Sequence, residues 1–90
     1  MSQYNLSGKR PGVRVLLGWD RPLQSYFASI YDPAKPPLYP EESDATRHVG
    51  LLGEPYDIES ADALAALVID DVEVEPAVLA ALKVDKANGR

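Results

Sequence analysis

Four of the chain's eight prolines, Pro33, Pro36, Pro37 and Pro40, fall within eight positions. Proline fixes φ and carries no backbone N–H, so neither a helix interior nor a central strand runs through such a cluster. The stretch from Asp32 to Arg47 is therefore read as a loop or extended connection, and it divides the 90 residues into two unlike parts. Before it come the aromatic residues Trp19, Tyr26, Phe27 and Tyr31. After it the apolar residues are mainly Ala, Leu, Val and Ile.

In the first part Val13, Val15 and Leu17 alternate with Arg14, Leu16 and Gly18, the period of a strand with one buried face. Gly18 to Pro22 supplies turn chemistry: Asp20 can bond nearby backbone N–H groups, and Arg21 precedes a proline and is pushed toward an extended conformation. Leu23 to Tyr31 is read as the return strand, with Tyr26, Ala28 and Ile30 on one face and Leu23, Phe27 and Tyr31 on the other. Helical spacing also fits Leu23, Tyr26, Phe27 and Ile30, with Asp20 as N-cap. The aromatic and β-branched content favours the strand.

In the second part Ala61, Leu64, Leu67 and Val68 form a helical stripe behind acids that suit a helix N-terminus, which predicts a helix from about Ser60 to Asp70. A second helix is expected from Pro76, with Val78, Leu79 and Leu82 inward, Lys83 and Lys86 toward its end, and Asn88-Gly89 as the stop. Helices this short hold only by packing, so the expected architecture is a single α+β domain over 1–90. In it an N-terminal β-hairpin is joined by the proline-rich connection to an αα-hairpin lying on the sheet. Residues 1–10 and 86–90 are expected to be poorly ordered. His48 to Gly53 reads equally as a brief third strand or a buried loop.

Charge is polarised along the chain. Up to Lys35 there are five basic and two acidic residues, a net of +3; from Pro36 there are four basic and twelve acidic residues, a net of −8. The opposite signs can draw the two parts together in the fold. The absence of cysteine removes disulfides, thiolate nucleophiles and cysteine-ligated metals. Met1–Arg10 has no leader-like apolar run, and the longest apolar run, Ala63–Ile69, falls far short of the roughly 20 residues of a membrane span. A cytoplasmic location without membrane insertion is the expectation.

Catalysis needs converging titratable groups, and the chain has one histidine, His48, with Ser43 or Ser60 as conceivable partners. Acids gather at Asp70, Asp71, Glu73 and Glu75 and at Glu41, Glu42 and Asp44, without calcium-loop spacing. These are read as solvated turns and helix ends. Gly50 and Gly53 lack the lysine and helix of a phosphate loop and are read as turn glycines. No metal, cofactor, catalytic residue or small-molecule ligand is therefore assigned. DNA binding through the helices is excluded by their acidic approach, since phosphate contacts need cations. Lys9, Arg10, Arg14 and Arg21 beside aromatic residues form a weak pattern for single-stranded nucleic acid, which a solvated strand face explains as well.

What remains is the tip Gly18-Trp19-Asp20-Arg21-Pro22-Leu23 with the aromatic strand behind it. Trp19, Asp20, Arg21, Tyr26, Phe27 and Tyr31 are the candidate interaction residues, since aromatic and arginine side chains dominate interface energetics. The competing reading folds Trp19 back over the core. The expected function is a non-enzymatic module that binds a protein partner or forms a homodimer. The alternatives are an acidic mimic that occupies a basic, nucleic-acid-binding surface, and a small enzyme using His48.

Overall fold

The structure, a computed structural model, describes residues 2–41, 43–51 and 53–89. Strands β1 (Ser2–Ser7), β2 (Arg14–Asp20), β3 (Ser25–Tyr31) and β4 (Arg47–Val49) precede helices α1 (Ala61–Leu67) and α2 (Pro76–Ala87). The strands form an antiparallel meander in the order β1-β2-β3-β4. The α+β architecture, with the helix pair on the sheet, is as the sequence predicts.

Register separates the two faces. Tyr4 pairs with Leu17, which pairs with Ala28 and thence Val49; Leu6 pairs with Val15 and Ile30; Trp19 pairs with Tyr26. These side chains share one face with Ile58, Ala61, Leu64, Val68, Val72 and Leu82 and form the core. α2 lies over β1 and β2 and α1 over β3. The helices run in opposite directions, since Asp62 and Glu59 at the start of α1 meet Lys83 and Lys86 near the end of α2. Each fully buried Leu or Ile contributes about 1.5–3 kcal/mol by leaving water.

Several boundaries differ from expectation. Ser2–Ser7, expected to be poorly ordered, is a full strand, and Asp85 anchors it by accepting the Tyr4 hydroxyl at 2.5 Å. α2 extends to Ala87, two residues into the stretch expected to be loose. The return strand begins at Ser25 instead of Leu23, because Arg21–Gln24 form the turn, with Gln24 at φ +49° and Leu23 63% exposed. Asp20 accepts the Leu23 N–H at 3.2 Å. The α1 helix stops at Leu67, and Val68 to Asp71 form a turn. Ser60 caps its start by accepting the Ala63 N–H at 3.0 Å.

The proline-rich connection is a sequence of turns. Ala34 donates to the Asp32 carboxylate at 2.9 Å and Leu38 to Ala45 O at 2.9 Å, while Ala45 itself is buried. Thr46 rejoins the sheet, its N–H at 2.7 Å from Ile30 O. His48–Gly53 resolves into the end of β4 and a turn; Leu52 lies outside the described residues, as does Glu42. Gly50 starts that turn at φ +72°, where a Cβ would stand 2.2 Å from Tyr26 O. Only glycine fits there.

Candidate functional site

The helices cover one face of the sheet. The other carries Gln3, Asn5 and Ser7 from β1, Arg14, Leu16 and Gly18 from β2, Phe27, Ser29 and Tyr31 from β3, and His48 from β4. A row runs across its middle: Asn5 opposite Leu16, Leu16 opposite Ser29, Ser29 opposite His48. The Ser29 hydroxyl and His48 Nδ1 share a hydrogen bond of 2.8 Å. The Arg14 guanidinium stands 5.1 Å over the Tyr31 ring, a cation–π contact that fixes both side chains at one end of the face. Beside them Gly12, Pro33, Lys35 and Pro37 help to bound a shallow cavity of about 280 Å³.

Phe27 is held lower in this surface. Its cross-strand neighbour is Gly18, which leaves space for the ring, and Gly50 passes close to its backbone. It is 8% exposed, whereas Leu16, Ser29, Tyr31 and His48 remain half-buried.

The candidate interaction residues are thereby divided. Trp19 and Tyr26 point into the helix-covered core, with ring centroids 4.9 Å apart and the Lys86 ammonium 5.5 Å from the Trp19 ring. Tyr26 donates its hydroxyl to Leu82 O at 3.0 Å, and burial pushes its pKa above the ordinary tyrosine value. Asp20 closes the turn and is buried, while Arg21 is exposed beside it. Phe27 and Tyr31 alone of the aromatic set belong to the open face. Leu16, Ser29 and the register that brings His48 to Ser29 were missed, because cross-strand pairing is invisible until the strand boundaries are known.

Charges expected to be solvated are partly spent inside the fold. Asp71, 6% exposed, receives Arg10 at 2.6 Å and Arg47 at 3.4 Å. Arg10 also reaches Asp32 at 3.1 Å. Asp32 is held below the usual carboxylate range, first by the Ala34 N–H and further by Arg10, against the opposing effect of burial. Arg10, one of the cations in the weak nucleic-acid pattern, is thus committed to a knot that ties the β1–β2 loop to the turn after α1. The basic and acidic parts of the chain meet in that pair.

Among the described residues no group of three or more His, Asp or Glu side chains could hold a metal, and no helix is long and apolar enough to cross a membrane. No protein-family model, curated protein or solved structure matches the chain.

Proposed function

We propose that the protein is a non-enzymatic binding module whose open sheet face receives a protein partner. The observation that carries this reading is the helix-free face itself, where half-buried Leu16 and Tyr31 lie beside exposed Arg14. Tyrosine and arginine are the residue types in which interface binding energy concentrates, and half-buried Leu16, next to Arg14 on the same face of β2, supplies apolar area. The Arg14–Tyr31 contact orders both side chains in advance and so lowers the entropy lost on binding. The face is broad and its cavity beside Arg14 and Tyr31 is shallow, which suits another protein surface better than a small ligand, since that needs a deeper concave site that buries most of it.

A photo-crosslinking residue at position 16, compared in cells with one at position 66 on the exposed side of α1, tests the reading. A discrete protein adduct from position 16, absent at position 66 and lost with Arg14→Glu, is the expected result. A position 16 that yields no discrete adduct, or one unaffected by Arg14→Glu, rejects it.

A further inference from the structure

The two edges of the sheet are built differently. β4 is three residues long, includes Arg47 and ends in the Gly50 turn, which are devices that blunt an edge against further pairing. β1 is six residues long, Ser-Gln-Tyr-Asn-Leu-Ser, with no charge and no proline. The Gly8 N–H bonds Val13 O and sets the phase of the β1–β2 ladder, so Leu6 and Tyr4 direct their backbone groups to β2 while Asn5 and Ser7 direct theirs outward.

Directly above this edge the apolar layer is incomplete. Tyr4 and Leu6 on β1 and Val78 on α2 are only half-buried. α2 is also apolar on its outer side. At 100° per residue, Lys83 and Lys86 face α1, Asp85 faces β1, and Ala81, Ala77 and Val84 follow outward from Asp85. Val84 is 49% exposed. A helix apolar on nearly all sides is ordinarily one with a second neighbour.

We propose that this edge is where a second copy of the chain docks, β1 against β1 in antiparallel register about Asn5, with α2 beside α2. The strand edge and the helix side select that occupant together. A bound peptide strand would cover the edge and leave Ala77, Ala81 and Val84 in water, whereas a second copy brings a matching helix over the same side of the sheet. Small side chains there let the helices approach to the 8–10 Å at which helices pack. A two-fold axis makes the patch its own complement. Because β1 carries no charge, two chains of net −5 meet there without like charges opposed. The pairing would extend the open face into one continuous eight-stranded surface, independently of what binds that face.

Sedimentation of the whole chain across the micromolar range is the test. The expected result is twice the monomer mass and a melting temperature that rises with concentration. Asn5→Pro deletes an outward N–H without touching the β2 ladder, and Val84→Lys places a charge in the helix contact. Each is expected to sediment as a monomer with an unchanged far-ultraviolet dichroism spectrum. Should Asn5→Pro fail to fold, Val84→Lys decides alone. A wild-type chain that stays monomeric overturns the proposal, and so does a dimer that survives Val84→Lys. Dissociation by Leu16→Asp but not by Val84→Lys would place the contact on the open face and overturn it as well.

Discussion

Leu16 and Leu17 are neighbours in sequence and chemically identical, yet one lies half-buried on the open face and the other is wholly enclosed under α2. The two faces of this sheet thus divide two tasks between them. The helix side collects almost all of the large apolar side chains and closes the core. The other side carries a row of polar groups, a histidine and the half-buried Leu16 and Tyr31, with Phe27 set into it and buried. The proposed binding surface lies where folding makes fewer demands, on the face with Leu16, Tyr31 and Arg14.

Truncating the two leucines separates the faces most sharply. Leu17→Ala should cost about 2–5 kcal/mol through lost transfer energy and a residual cavity. Leu16→Ala should cost about 1 kcal/mol or less, since partly exposed positions seldom exceed that. Urea unfolding of the pair measures both, and equal losses would break the distinction.

Tyr26→Phe probes the buried side through pH. Removing the hydroxyl takes away the second hydrogen bond that Leu82 O accepts besides its helical one, a loss of roughly 0.5–1.5 kcal/mol at neutral pH. The folded-state pKa of Tyr26 is raised, so its contribution is complete below the unfolded value of about 10 and disappears as pH rises through the folded one. Wild-type stability should therefore fall in alkali more steeply than that of the variant, as thermal melts from pH 8 to 11 would show.

Ser60→Ala removes the α1 cap and should cost about 1 kcal/mol, read from the same urea titration. Asp32→Asn acts in the opposite pH range. Because the folded pKa is depressed, the stabilisation is present above about pH 3.9 and vanishes as pH falls through the lower folded value. The variant should show a shallower acid arm in melts from pH 2 to 5. Smallest of all, Ser29→Ala on the half-exposed row should shift stability by about 0.5 kcal/mol or less. A larger loss there would mean that the open face also holds the fold together.

Much of the helix-side layer was legible in the sequence, because periodicity reports burial directly. The β2 alternation, the Tyr26–Ala28–Ile30 face and the Leu64 and Leu82 stripes all carry that signature. β1 did not, since an edge strand with one face in solvent shows only Tyr4 and Leu6 among polar residues, too few to establish a period. Leu23 misled because hydrophobicity alone does not reveal that Gln24 adopts a positive φ and draws its neighbour into the turn. Asp71 was read as solvated because its partner Arg10 stands 61 residues away. Candidate-site residues were legible as types but not as faces: composition marked Trp19, Tyr26, Phe27 and Tyr31, and only register could send two inward and two outward.

The bond between Tyr4 and Asp85 spans 81 residues, nearly the whole chain. In kinetic terms it closes a far larger loop than any turn of the meander, so the entropy lost in making it exceeds that of any hairpin there. The β2–β3 hairpin can form from local encounters. β1 pairs with β2 across a loop as local as that of the β2–β3 hairpin, but its second anchor, on Asp85, forms only when the last helix has docked.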